Sequence, residues 1–294
     1  MKVYVSAGEI GNGMKEQNRI VHVAYITDDN YVMPTMVSMM SMKMNKDPQS
    51  EYKVHVIGSE LGIGNRSRLL AMAGRNFQVE VIDAILEEEF RTMRKADNDL
   101  HVRPAAILKF QMPRLLSGGI GKLLYLDGDT LVQEDLCELY NTDLSSKYAA
   151  VVKDIISERN PGHMRFLKYK NKFYFNSGMM LLNLTKMRKD DIVRKLVDYR
   201  LNGINHFMDQ DALNVVFREN VIYVSPRYNF LNKFYDWWPQ EKLSEFYGET
   251  FPATFEGAVR KAVILHLGSH EKPWVYDLGY LTDLYRRYQR YVEE

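Results

Sequence analysis

Residues 123–130 read LLYLDGDT. The apolar residues have the short, unbroken character of a strand buried on both faces, as in parallel sheets. The run stops at Asp127 and Asp129, with Gly128 between them. In open α/β sheets ligands collect outside the carboxyl ends of the strands, so this stretch predicts both a fold and the place of a site. Two carboxylates this close repel and are costly to desolvate unless a cation joins them. Oxygen ligands suit Mg²⁺ or Mn²⁺, and Mg²⁺ commonly takes one or two carboxylates together with substrate phosphates. Gly128 is expected to let the backbone approach a ligand. Alone, a D-x-D is more often an ordinary solvated turn; the apolar strand before it brings the metal reading level with that one.

The flanking segments alternate strand and helix. IVHVAYI (20–26), KVHVIG (53–58) and QVEVID (78–83) read as strands. Between them PTMVSMMSMKMN (34–45), NRSRLLAMAG (65–74) and PAAILKFQMPRLL (104–116) read as helices. Pro34 suits a first helical turn, Asn65 a cap, Gly74 a stop and Pro113 a bend. Met33, Met36, Val37, Met40 and Met44 share one helix face, which predicts adaptable core rather than a cofactor site. This order predicts an α/β fold with a mostly parallel, Rossmann-like sheet covered by helices on both faces. With no long linker or repeat, one domain over residues 20–275 is expected, with an extension at 1–19 and a helical tail at 276–294.

The chain has 294 residues, 46% hydrophobic and 26% charged, with a formal net charge of +1. Such a chain buries enough surface to fold without staples, and its charge offers nothing to nucleic acid. Cys137 is the only cysteine, so no intrachain disulfide is possible, in keeping with a cytoplasmic setting. No apolar run approaches the roughly 18 residues of a membrane span. The N-terminus lacks the apolar middle of a secretion signal, and Met14 is a candidate start with residues 1–13 an addition. In the tail YLTDLYRRYQRYVEE, Arg286, Arg287 and Arg290 mix with Tyr285, Tyr288 and Tyr291. A basic aromatic helix can lie on a membrane. This one is short and ends in two glutamates, so a solvated, partly packed helix is expected, with peripheral contact at the inner membrane face as the most it offers.

Other polar segments fall at strand ends. ITDDNY (26–31) puts Asp28 and Asn30 at the same sheet edge, although alone it is an Asx-type turn. NSGMMLLNL (176–184) sets a polar triplet before an apolar run. HFMDQDALNVVF (206–217) begins a helix at DQD, where acidic residues are ordinary dipole partners and Gln210 is less ordinary. AVILHLGSHEKPW (262–274) ends an apolar strand at His266, a possible third ligand, with Lys272 suited to phosphate. NFLNKFYDWWPQEKLSEFYGETFPATFEG (229–257) carries Trp237 and Trp238, readable as an acceptor platform or as ordinary packing.

DDNY, LLYLDGDT, FNSGMMLLNL, DQDALN and HLGSHEKPW, in this order, resemble family 8 of the retaining glycosyltransferases. That family includes lipopolysaccharide galactosyl- and glucosyltransferases and glycogenin. The resemblance runs from Ile20 to Trp274. It implies a glycosyltransferase type-A fold and transfer of galactose or glucose from a UDP-sugar to a glycan or lipid-linked acceptor, as in lipopolysaccharide biosynthesis. By resemblance Asp127, Asp129 and His266 hold Mn²⁺, with Mg²⁺ the alternative. Ile26, Asp28, Asn30 and Tyr31 resemble the uridine-binding segment, with Tyr31 against the base, and Lys272 resembles the lysine of the phosphates. Lys109 falls where the family usually has arginine; it keeps the charge and loses the bidentate fork. Asp154, Asn176, Ser177, Asp209 and Gln210 resemble the sugar-binding set. Two departures stand out. Ser269 occupies the place of a family glycine, with Gly268 one position early, so the backbone at the diphosphate is open and His270 becomes a competing ligand. Gly128 stands where bulkier small residues are frequent.

Retention by two displacements needs a nucleophile at the anomeric carbon. Gln210 lies where the family places its candidate, and an amide is a poor nucleophile. Front-face attack is therefore expected, with Gln210 and Asp209 stabilising the cation-like sugar. A metal-dependent phosphoryl or nucleotidyl transferase would show an early phosphate loop, which ITDDNY is not. A non-catalytic nucleotide-sugar-binding relative would lack a ligand or the DQD segment; both are present, and the shifted glycine keeps this alternative open. Self-glucosylation would need an acceptor tyrosine, and 19 tyrosines leave that open too.

Overall fold

The computed structural model describes residues 19–58, 61–84, 104–169, 173–203 and 206–294. Most of the expected N-terminal extension, with the candidate start at Met14, lies outside them. The expected alternation appears as β1 (Ile20–Thr27), α1 (Val32–Asn45), β2 (Glu51–Gly58), α2 (Ile63–Ala71), β3 (Phe77–Asp83), α3 (Pro104–Leu115) and β4 (Lys122–Leu126). Pro113 lies inside the last turn of α3.

The sheet continues with β6 (Ala149–Lys153), β7 (Phe175–Asn183) and β8 (Val221–Tyr223), in the order β3-β2-β1-β4-β7-β6-β8. It is mostly parallel, and β7 runs antiparallel to both β4 and β6. Its two faces build two cores, as strand alternation requires. Val23, Tyr25, Val54 and Leu124 pack on one side, and Ala24, Ile57, Leu123 and Tyr125 on the other.

A second sheet sets β10 (Ile264–His266) between β5 (Thr130–Val132) and β9 (Phe230–Leu231). It stands directly after the two aspartates.

The methionine stripe of α1 needs correction. Met36 and Val37 are buried as expected, but so are Met39 and Met42, while Met44 is 40% exposed. The reason is that α1 is covered on more than one side. Besides the main sheet it meets β5 and the terminal helix Tyr280–Glu293. Asn45 Nδ2 donates to both Val132 O and Tyr288 Oη there. The terminal helix turns Tyr285 and Tyr288 inward and leaves Arg286, Arg287 and Arg290 exposed. Among the described residues no helix is long and apolar enough to cross a membrane.

Candidate metal and donor site

The turn after β4 is strapped on both sides by backbone. Leu126 pairs with Met179 of β7, and Asp127 N–H donates to Gly178 O at 2.8 Å. On the other side Leu267 N–H donates to Asp129 O at 2.8 Å, and the β5–β10 register sets His266 opposite Thr130. Three segments remote in sequence thereby meet at one sheet edge. The contact at Gly178 is the tightest. A Cβ there would stand 2.1 Å from His266 Cε1 and 2.9 Å from Asp127 Oδ2, so only glycine admits the imidazole.

Each aspartate divides its two oxygens between different partners. Asp127 Oδ1 accepts from Tyr125 Oη at 2.6 Å and lies 3.0 Å from Lys109 Nζ. Asp129 Oδ2 accepts from Lys272 Nζ at 2.5 Å and Tyr31 Oη at 3.2 Å. The remaining oxygens face His266 Nε2, Asp129 Oδ1 at 3.4 Å and Asp127 Oδ2 at 3.8 Å. His266 Nδ1 meets Asn229 Oδ1 at 2.9 Å, and Asn229 Nδ2 donates to Asn176 Oδ1 at 2.8 Å. This chain makes Nδ1 an N–H donor and turns Nε2 toward the two carboxylates, the usual outer support of a metal-binding histidine. The three ligand atoms lie within 4.8 Å of one another. A divalent ion about 2.1 Å from each ligand holds them roughly 3–4 Å apart, so the donor set fits one cation. Among the described residues no other such cluster occurs. His270 is exposed and outside it.

The charges are balanced by two lysines. Burial pushes the Asp129 carboxyl up, but the adjacent His266 and Lys272 outweigh it and hold Asp129 well below the usual carboxylate range. Lys109 is buried, which opposes its charge, yet Asp127 and Asp209 outweigh that and keep it raised. Its Nζ lies 2.8 Å from Asp209 Oδ2, so one cation bridges Asp127 and the DQD segment.

The remaining sugar-side candidates converge where β7 is irregular. The β6–β7 register shifts between Val151 and Val152, which re-aims residues around 176–178 toward the sheet edge. Ser177 Oγ donates to Asp209 Oδ2 at 2.9 Å, and Ser177 N–H donates to Gln210 Oε1 at 3.0 Å. Gln210 Nε2 and Asn176 Nδ2 each donate to Asp154 Oδ2 at 3.2 Å. Burial raises Asp154, partly offset by the Ile156 N–H, Asn176 and Gln210. Asp211, not singled out from the sequence, is fully buried. It accepts from His163 Nε2 (2.8 Å), Tyr174 Oη (2.6 Å), His206 N–H (2.8 Å) and Phe207 N–H (2.9 Å).

A cavity of about 380 Å³ opens from Lys109, Asp127, Asp209 and Gln210 outward to Arg159, Phe207 and Trp237. The two tryptophans divide the two readings of their segment. Trp237 lines this cavity and is 38% exposed. Trp238 is buried with its ring 5.3 Å from Phe246. A larger hollow, about 450 Å³, lies between Lys168 and Arg218 away from the carboxylates and offers no comparable chemistry.

The expected uridine segment is only partly joined to this cluster. Tyr31 reaches Asp129 and meets Trp274 edge-on at 5.8 Å. Asp28 Oδ1 accepts the N–H groups of Asn30 and Tyr31, forming the Asx turn that starts α1. Asn30 is exposed at the same edge, while the Ile26 side chain is buried and its place in β1 is opposite Ile57 of β2. A Cβ on Gly128 would meet Thr35 Oγ1 at 2.5 Å, a packing reason for glycine independent of any ligand. Ser269 Oγ accepts from Asn232 Nδ2 and donates to Glu271 O, so it ties its own loop. Gly268 lies against His266 and Leu231, where a Cβ would crowd both.

Comparison with known proteins gives one family. The model described as "Glycosyl transferase family 8" matches residues 22–277. The chain is 28% identical to General stress protein A of Bacillus subtilis (strain 168) over 222 residues, covering 72% of this chain and 74% of that protein. It is 25% identical over 268 residues to a lipopolysaccharide 1,2-glucosyltransferase of Escherichia coli, covering 88% and 74%. It spans 64% and 52% of two further curated relatives. Among solved structures, a galactosyltransferase LgtC complex with donor and acceptor sugar analogs aligns with a TM-score of 0.78 at 24% identity, covering 92% of this chain and 96% of that one. That likeness establishes a common fold.

Proposed function

The chain belongs to glycosyl transferase family 8, and on that premise we propose that it is a retaining hexosyltransferase that moves galactose or glucose from a UDP-sugar to a glycan or lipid-linked acceptor in the cytoplasm. Asp127, Asp129 and His266 would hold the divalent cation. Mixed carboxylate and imidazole ligands favour Mn²⁺ over Mg²⁺. The observation that carries this reading is the division of carboxylate oxygens: one from each aspartate goes to protein donors, and the other faces Nε2 of His266.

Bound there, the cation would act as a Lewis acid on the diphosphate leaving group, so no protein acid is needed. The other roles fall to the chain. Lys272 lies beside Asp129, within the region a diphosphate would reach, and supplies a positive charge for it. Gln210 has its carbonyl oxygen held by Ser177 N–H and its amide by Asp154, so it orients and does not attack. Asp209 is held by Ser177 and Lys109. Front-face transfer follows: the acceptor oxygen bonds to the anomeric carbon on the side from which UDP departs. The acceptor's proton passes to the departing β-phosphate oxygen. Asp209 and the Gln210 carbonyl stabilise the positive charge that develops on the sugar. A covalent sugar trapped on Asp209 or Gln210 would defeat this route.

The deciding experiment is calorimetry of UDP binding with and without Mn²⁺, on the wild type and on Asp129→Ala. Metal-dependent binding that the variant loses supports the site, and UDP-glucose and UDP-galactose hydrolysis then identifies the sugar. Absence of UDP binding under any metal would favour a non-catalytic relative.

A further inference from the structure

The cavity has two ends of opposite character. Its inner end is lined by carboxylates whose counter-charge is already present in Lys109. Its outer end carries Arg159, at the end of the helix Ile156–Arg159, and two rings, Trp237 and Phe207, each 38% exposed. The Arg159 guanidinium carbon stands 4.4 Å over the Trp237 ring. That guanidinium forms no ion pair among the described residues. The contrast with the neighbouring tryptophan is direct: Trp238 is buried beneath Lys242 and takes no part in the cavity.

The Phe207 side of the aromatic wall is held in place from behind. Asp211 accepts the backbone N–H groups of both His206 and Phe207, and binds His163 Nε2. The Phe207 ring meets His163 edge-on at 4.7 Å. A buried carboxylate with four donors fixes the Phe207 side of the wall before any ligand arrives, which lowers the ordering cost of binding.

Flat exposed rings pack on the apolar face of a pyranose, and a cavity of this kind takes orientation from a few polar groups. A guanidinium stacked on an indole keeps its planar fork turned outward, matched to the paired oxygens of a carboxylate or phosphate. We propose that the acceptor is a glycan bearing an anionic substituent, a carboxylate or a phosphate, whose sugar ring packs on Trp237 and Phe207 and whose charge is read by Arg159. This rests on the hexosyl-transfer reading and adds the acceptor class to it.

The test is binding, read by tryptophan fluorescence in the presence of UDP and Mn²⁺, so that no turnover is required. The probes are lactose, lactose carrying a phosphate, and a disaccharide ending in glucuronic acid. The expected result is an anionic sugar bound about tenfold or more tighter than lactose, as a charge-assisted hydrogen-bonded pair gives. In Arg159→Ala the anionic and neutral sugars converge, and Arg159→Lys restores part of the difference. Phosphate and glucuronate probes separate the two anion sources. Equal affinity for neutral and anionic sugars in the wild type overturns the proposal. So does a parallel loss of UDP affinity in Arg159→Ala, which would assign the arginine to the donor diphosphate. Anionic preference in a protein that binds no UDP would keep the subsite and refute the transfer reading instead.

Discussion

Lys272 Nζ lies 2.5 Å from Asp129 Oδ2 and 2.6 Å from Leu267 O. The lysine expected to meet the donor phosphates thus rests on one of the aspartates proposed to hold the metal. A lysine and a divalent ion compete for the same carboxylate charge, worth about 1–4 kcal/mol at a few Å. Removing the lysine should tighten Mn²⁺ binding in the absence of nucleotide, by about fivefold or more. The same Lys272→Ala change should weaken UDP binding once metal is present, because the phosphates lose a cation. Calorimetry of Mn²⁺ alone and then of UDP with Mn²⁺ separates the two effects. Weaker Mn²⁺ binding by the variant would sink the competition.

Gly178→Ala tests the geometry of the ligand set. The new Cβ would stand 2.1 Å from His266 Cε1 and 2.7 Å from its Nδ1. The imidazole must swing away, breaking its link to Asn229 and withdrawing Nε2 from the aspartates. Mn²⁺-dependent UDP binding should fall by at least tenfold, the usual order for loss of a ligand's support. Overpacking should also cost about 1–3 kcal/mol of stability. Wild-type metal binding by Gly178→Ala would remove His266 from the set.

Lys109→Met should cost about 3 kcal/mol, because it leaves the partly buried Asp127 and Asp209 without their shared cation. Added Mn²⁺ neutralises Asp127 in the lysine's place. It should therefore raise the melting temperature of the variant more than that of the wild type. Thermal unfolding with and without Mn²⁺ decides this, and equal increments would show that the ion does not reach Asp127.

Asp127, Asp129 and His266 were legible in the sequence because each stands at the end of a short apolar run, and strand ends are where such a sheet gathers polar groups. The reversal of β7 was legible in principle. In NSGMMLLNL the polar triplet precedes the apolar run, so only an antiparallel strand brings Asn176 and Ser177 to the edge reached by the ends of β1 and β4. Gly178 and Asn229 were hidden for a different reason. Their importance lies in contact with His266, a residue far along the chain, and nothing local marks it. Asp211 looked like an ordinary first-turn acid, and two of its four donors, His163 and Tyr174, come from segments remote in sequence. Gly128 was read as ligand approach, whereas Thr35 supplies a packing reason visible only once α1 is docked.

A pH effect on stability is expected at the far end of the sheet. His22 Nδ1 lies 2.9 Å from His55 Nε2, and His55 Nδ1 lies 2.5 Å from Glu80 Oε1, with the two imidazoles stacked at 5.2 Å. An ionised Glu80 only accepts, so His55 donates from Nδ1 and receives the His22 proton at Nε2. Burial, then His55 and Lys53, lower His22 from its ordinary 6.5 to about 4. In the unfolded chain His22 takes up a proton near 6.5, while in the folded chain it resists until near 4. Between those values the unfolded state binds more protons, so stability rises with pH across the window and is lost as pH falls through it. The melting temperature should drop between pH 7 and pH 4, and His22→Gln should flatten that slope while leaving metal-dependent UDP binding in place. Thermal unfolding over that range measures it; an unchanged slope in the variant would place the acid sensitivity in other groups.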